Sequence, residues 1–147
     1  MNKIKLLQFF VATLFVVSFT SCDKDEDTEP SQQALLTAEE WTGASVYVDG
    51  QNYTQYFSDS LGFDIVEMSY RFDDNGEYRY TYGQTVLGTW EFSGDEQSAI
   101  ILDKGKSFED EVTIINLTSD ELYLEVNWWY DSSTGESIPV ELRFSRE

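Results

Sequence analysis

Residues 65–82 read IVEMSYRFDDNGEYRYTY, and they carry the clearest secondary-structure signal in the chain. Large apolar or aromatic residues alternate with polar ones on both sides of Asp73-Asp74-Asn75-Gly76. Alternation with a period of two is typical of a strand with one buried face, and Asn-Gly between two such strands favours a tight hairpin. The stretch therefore predicts two antiparallel strands, at 65–72 and 77–82.

The alternation also predicts which side chains point inward. In these two strands the inward set is Val66, Met68, Tyr70, Phe72, Tyr78, Tyr80 and Tyr82. Further strands are predicted on the same pattern at 44–48, 86–92, 98–102, 110–116, 121–130 and 138–144. One apolar face and one polar face along such strands is typical of an antiparallel sheet.

The links between the strands predict their order. Every connection after residue 65 is short enough for a hairpin between neighbours, whereas residues 49–63 form one long, aromatic-rich loop. A Greek-key sandwich needs a long crossover among the later strands, and an open meander leaves two exposed edges. We therefore expect an all-β fold, an eight-stranded antiparallel up-and-down barrel, preceded by a short N-terminal helix within 34–41.

Composition limits the function. The 147 residues include 28 acidic and 9 basic side chains, and the resulting net charge of -19 disfavours nucleic acid as a partner. The chain has no histidine and one cysteine, which removes histidine-dependent triads, the usual zinc sites and any intramolecular disulfide. We therefore expect a protein that is not an enzyme, with no catalytic residue, no cofactor and no metal site.

The N-terminus has the pattern of an export signal. Lys3 and Lys5 precede an apolar run at 6–19, and small residues then lead to Cys22. A basic start, a short apolar run and a small-residue cleavage site are typical of a secretory signal. The predicted organisation is a signal peptide at 1–21, a modified Cys22 with a flexible acidic tether at 22–33, and one domain at 34–147.

The residues around Cys22 resemble known lipoprotein signals. Phe19-Thr20-Ser21-Cys22 resembles the lipobox of bacterial lipoproteins, and the Lys and acidic residues that follow resemble the surface-export signal of Bacteroidetes lipoproteins. The resemblance implies that Cys22 carries acyl chains such as palmitate, which anchor the protein in a membrane. It further implies an outer-membrane lipoprotein exposed at the cell surface, with the periplasmic face as the alternative.

The order of elements resembles a lipocalin-like barrel, in particular the small lipocalin-like domains of Bacteroidetes lipoproteins. A helical lead-in with Trp41 is followed by one strand, one long loop and seven hairpin-linked strands. Two short motifs match, Gly76-Glu77-Tyr78 after a turn and Gly88-Thr89-Trp90 in a middle strand. The resemblance implies a lipocalin-like barrel over residues 34–147.

The aromatic residues of the predicted barrel allow two functions. A barrel of eight strands is either filled by side chains or holds one small ligand. If it holds a small apolar or amphipathic molecule, the candidate wall residues are Tyr70, Tyr80, Trp90 and Trp128, with Tyr53 and Phe57 on the long loop above them. If the rings only fill the core, the acidic outer face is an interaction surface for a cationic protein or a glycan.

Overall fold

The computed structural model describes residues 29–131 and 134–146. The expected signal peptide, Cys22 and most of the tether lie outside these residues. Within them the chain forms nine strands, two α-helices and one turn of 3-10 helix. The helices are α1 (Gln32–Thr37) and α2 (Thr54–Leu61), and the 3-10 turn is Ile65–Glu67. The strands are β1 (Trp41–Val48), β2 (Gln51–Asn52), β3 (Ser69–Phe72), β4 (Glu77–Tyr82), β5 (Gln84–Phe92), β6 (Ala99–Leu102), β7 (Asp110–Leu117), β8 (Glu121–Asp131) and β9 (Glu136–Ser145).

Eight of these strands form a closed barrel. From β3 to β9 each strand pairs antiparallel with the next, and β1 pairs with β3 on one side and with β9 on the other. The closing pair of strands runs from Thr42↔Ser145 to Tyr47↔Glu141. The two-residue β2 pairs only with the end of β1 and lies outside the ring. The predicted eight-stranded antiparallel up-and-down barrel is confirmed.

The hairpin with the clearest sequence signal forms between β3 and β4. Tyr70 pairs with Tyr80 and Phe72 pairs with Tyr78, and the Gly76 N–H donates to the Asp73 carbonyl in the turn at 3.1 Å. Inside the barrel the rings of Tyr70 and Phe72 are stacked, with centroids 5.5 Å apart. The cross-strand pairing of aromatic residues therefore places a wall of rings along the interior.

The barrel has two different ends, which we call the base and the mouth. The base is closed by α1 and carries the turns at 73–76, 93–98 and 118–120. The mouth is the opposite end, with the β4–β5 turn at Gly83, the loop at 103–109 and the segment 49–63 that contains α2. At the base, Trp41 is fully buried and its indole N–H donates to the Leu36 carbonyl of α1 at 3.0 Å. This bond fixes α1 across the base.

The structure corrects the predicted bounds of the N-terminal helix. The helix ends at Thr37, and Trp41 begins β1 instead of ending the helix. Trp41 pairs with Tyr70 of β3 and lies inside the barrel, so its burial comes from the sheet and not from a helix face. The aromatic ring is a better fit to a strand at this position than to a helix, where χ1 is restricted.

The structure also corrects the predicted strand at 65–72. Only Ser69–Phe72 is a strand, because Ile65–Glu67 forms a 3-10 turn in which the Asp64 carboxylate accepts from the Val66 N–H at 3.3 Å. Val66, predicted to point inward, is 56% exposed, whereas Ile65 is buried. An aspartate that bonds the backbone two residues ahead competes with strand geometry, which the alternating pattern alone does not reveal.

The wall of the barrel is incomplete at the mouth. Pairing between β5 and β6 covers only Trp90–Phe92, and pairing between β7 and β8 stops at Thr113↔Glu125. Among the described residues, the mouth-side half of β5 therefore pairs with β4 alone, and that of β8 pairs with β9 alone. The β4–β5 and β8–β9 hairpins therefore extend beyond β6 and β7, and the interior is open to solvent between these two hairpins.

Candidate functional site

A cavity of about 330 Å³ lies inside the barrel near the mouth, and we call it the tyrosine cavity. Its lining residues are Met68, Tyr70, Tyr80, Asp110, Val126, Asn127, Trp128 and Leu142. They come from β3, β4, β7, β8 and β9 and from the residue that precedes β3, so five of the eight barrel strands contribute. The cavity opens to solvent, since Trp128 is 45% exposed at its edge.

Two tyrosines on neighbouring strands form one wall. Tyr70 and Tyr80 are directly paired across β3 and β4, and their ring centroids are 5.1 Å apart. Asp110, the first residue of β7, lies on the same face of its strand as the buried Val112 because side chains alternate along a strand. Its carboxylate therefore joins the tyrosines at the cavity.

A second cavity, of about 250 Å³, lies beside α2, and we call it the helix cavity. Phe57 and Leu61 of α2, Phe63 and Trp128 line it. The rings of Phe63 and Trp128 meet edge to face with centroids 4.3 Å apart, and the Phe63 ring also lies 5.1 Å from that of Tyr82. Trp128 borders both cavities, so the apolar helix cavity adjoins the more polar tyrosine cavity.

Within the described residues, the two tyrosine hydroxyls of the tyrosine cavity have raised pKa values and no hydrogen-bond partner. Burial, followed by the neighbouring Tyr80, Tyr78 and Asp110, raises the pKa of Tyr70, and burial followed by Tyr82 raises the pKa of Tyr80. Within the part of the chain that the structure describes, neither hydroxyl has a hydrogen-bond partner. By contrast, the Tyr78 hydroxyl donates to the Asp103 carboxylate at 2.7 Å.

The predicted site residues divide between the cavities and the core. Tyr70, Tyr80 and Trp128 line the tyrosine cavity, and Phe57 lines the helix cavity. Tyr53 lies beside the N-terminus of α2, with its ring 6.0 Å from that of Tyr56, and is not among the lining residues described above.

Trp90 lies apart from this group and is not among the residues that line the two cavities described above. It is 7% exposed and packs edge to face against Phe72 and Phe92. Its indole N–H donates to the Asp73 carbonyl in a turn of the base at 2.9 Å. The indole N–H, which is the polar group of this side chain, is therefore bonded within the protein, and Trp90 belongs to the packed core.

Several lining residues were not predicted, among them Asp110 and Phe63. The alternation of Asp110, Val112 and Ile114 along one strand was a signal that would have placed the carboxylate inward. Phe63 had no such signal, because its position depends on how the segment after α2 folds over the mouth.

The described residues also bear on metal binding and on membrane-spanning helices. They contain no group of three or more histidine, cysteine, aspartate or glutamate side chains able to hold a metal ion. In the same part of the chain, no helix has both the length and the apolar character required to cross a bilayer.

Comparison with known proteins adds no family. No protein-family model matches the chain, and no curated protein has significant sequence similarity to it.

Proposed function

We propose that this protein is a lipocalin-like lipoprotein that binds a small apolar or amphipathic molecule at the mouth of its barrel. The observation that carries the proposal is the tyrosine cavity, whose volume of about 330 Å³ lies in the range of about 300–1,000 Å³ typical of ligand sites. Aromatic and aliphatic side chains with a few polar groups are the lining that such sites usually have.

The unpaired hydroxyls support binding over a barrel with a filled interior. Tyr70 and Tyr80 share one cavity and have no hydrogen-bond partner among the described residues, and because both side chains are only partly buried, their hydroxyls can bond to a molecule that enters from solvent. A ligand or water that enters the cavity supplies those hydrogen bonds.

The anchoring part of the proposal is supported by the sequence around Cys22 and by the direction from which the chain reaches the barrel. The described part begins at Glu29, immediately before α1, which closes the base. A membrane anchor at Cys22 therefore joins the domain at the end opposite to the mouth. The cavity is left accessible from the aqueous side.

The test of the proposal is retention and titration of a ligand by the chain from residue 22 onward, carrying Cys22→Ser. Native mass spectrometry on protein from a Bacteroidetes host detects any retained molecule, and N-phenyl-1-naphthylamine serves as a fluorescent probe for titration. We expect Val126→Phe, which fills the tyrosine cavity, to weaken probe binding by about tenfold.

The matched control is Ile115→Phe, which adds a phenyl ring at a β7 position that is 48% exposed. We expect it to bind the probe as the unmodified chain does. The proposal is overturned if no molecule is retained and the probe either fails to bind or binds equally to Val126→Phe.

A further inference from the structure

The tyrosine cavity combines aromatic faces with a carboxylate that has no cationic partner in the described part of the chain. Tyr70, Tyr80 and Trp128 present rings to it, and Asp110 is exposed at its edge. Within the described residues, Asp110 forms no ion pair. Neither cavity is lined by a lysine or an arginine of the described chain.

The nearest lysines along the chain are already paired elsewhere. Lys104 pairs with Glu91, and Lys106 bonds the buried Asp103 carboxylate at 2.5 Å. Both lie in the loop at 103–109 that precedes β7, so the loop brings its positive charges to other carboxylates and leaves Asp110 free of a cation.

This arrangement of rings and a carboxylate favours a cation over an anion. The face of an aromatic ring is negative and attracts a cation placed over it, and Trp and Tyr do so most strongly. A carboxylate beside the rings attracts the same cation and repels an anion. The hydroxyl oxygens of Tyr70 and Tyr80 are free to accept hydrogen bonds from an ammonium group.

The adjoining helix cavity has a different character. Its lining, Phe57, Leu61, Phe63 and Trp128, consists of apolar and aromatic side chains. It lies next to the tyrosine cavity through the shared Trp128. A single ligand with a charged end and a hydrocarbon end matches the two cavities together.

We propose that the ligand is an alkylammonium, with its ammonium group among Tyr70, Tyr80 and Asp110 and its hydrocarbon chain against Phe57 and Phe63. The inference rests on the proposed function and names the class of molecule bound. The net charge of -19 assists it, because a strongly acidic protein raises the local concentration of cations.

The experiment compares three probes that share an eight-carbon hydrocarbon chain and differ in the head group. They are octylammonium, octan-1-ol and octanoate. Each is titrated by isothermal calorimetry near neutral pH into the chain from residue 22 with Cys22→Ser. We expect octylammonium to bind about tenfold more tightly than octan-1-ol, and octanoate to bind most weakly.

Two pairs of variants assign the preference to the cavity. Asp110→Asn should weaken the binding of octylammonium by about tenfold and the binding of octan-1-ol far less. Its control is Glu111→Gln, which removes the same charge from the next residue of β7, on the other face of the strand. Trp128→Leu should lower the preference for the cation by removing a ring, and Trp128→Phe should restore it.

The outcomes separate this inference from the function on which it rests. If none of the probes binds, the proposed ligand-binding function fails together with the inference. If octan-1-ol binds as tightly as octylammonium, the barrel binds a ligand but the cation preference is wrong. If octylammonium is preferred equally in Asp110→Asn and Glu111→Gln, the preference comes from the net charge of the protein and the assigned site is wrong.

Discussion

The guanidinium carbon of Arg146 lies 3.6 Å from the centre of the Trp41 ring. The same guanidinium donates hydrogen bonds to the Leu35 carbonyl of α1 and, at 2.9 Å, to the Ser119 carbonyl in the β7–β8 turn. One side chain near the end of the chain therefore joins the N-terminal helix, the first strand and a turn of the base. This contact closes the barrel at the end opposite to the cavities.

We predict that Arg146→Ala lowers the free energy of unfolding by about 1–3 kcal/mol, since it removes a cation–π contact and two hydrogen bonds. Urea denaturation measures the change. Arg79→Ala is the matched control, because Arg79 is exposed and forms no ion pair within the described residues. Equal stabilities of the two variants would show that the contact does not hold the base.

A second prediction concerns the buried Asp103, which is 2% exposed and accepts from the Tyr78 hydroxyl at 2.7 Å and the Thr89 N–H at 3.1 Å. Burial alone would raise its pKa, but hydrogen bonds from Lys106, Tyr78 and Thr89 outweigh burial and hold the pKa below the ordinary 3.8. A carboxyl group with a lowered pKa in the folded state stabilises the fold above its unfolded pKa, and this contribution is lost as the pH falls through the folded value.

Asp103→Asn should therefore cost about 1–3 kcal/mol of unfolding free energy at neutral pH. The difference from the unmodified protein should shrink as the pH falls below 3.8. Urea titrations across this range test it, with Asp95→Asn in the exposed β5–β6 turn as the control. A difference that stays constant with pH contradicts the prediction.

The third prediction concerns two glycines that other groups approach closely. A Cβ on Gly43 would lie 2.0 Å from the Ile65 carbonyl oxygen, and a Cβ on Gly88 would lie 2.4 Å from the Tyr78 ring. Gly43→Ala should cost more than about 3 kcal/mol, because backbone must move. Gly88→Ala should cost about 1–3 kcal/mol, because a side chain can shift.

Thermal or urea unfolding gives the order of these effects. Thr89→Ala, next to Gly88 at an exposed position of β5, should change stability by less than about 0.5 kcal/mol. If Gly43→Ala is tolerated as well as Thr89→Ala, the close packing of the 3-10 turn on β1 is wrong.

The fourth prediction concerns Cys22, the one cysteine of the chain. Cys22→Ser should abolish the incorporation of labelled palmitate and move the protein from the membrane fraction to the soluble fraction. Ser21→Ala retains the cysteine and a small residue before it, so it should still be labelled. Labelling that persists in Cys22→Ser would rule out the expected acylation.

The barrel could be predicted because its strands carry local information. In β3, β4 and β8, apolar residues alternate with polar ones, and the short links leave only neighbouring strands to pair. The segment 49–63 was harder to predict, because α2 is only eight residues long. Its signal was the spacing of Tyr53, Phe57 and Leu61 at every fourth position, which is typical of one helix face but was interpreted as a loop.

Part of the candidate site could be predicted from the alternation of apolar and polar residues along the strands. Alternation alone identified Tyr70, Tyr80 and Trp128 as inward residues, and these line the tyrosine cavity. Alternation could not separate them from Trp90, which also points inward. The distance along the barrel axis from the mouth decides which inward rings face open space, and that distance depends on where β6 and β7 stop.

α1 and the two cavities lie at opposite ends of the barrel, and this placement bears on how the proposed ligand would exchange. If the chain is anchored through Cys22 as proposed, the base is the end of the barrel that the anchoring segment reaches first and the mouth is the end farther from the bilayer. On that proposal, a ligand would enter and leave the mouth through the surrounding water and would not pass directly between the barrel and the anchoring bilayer.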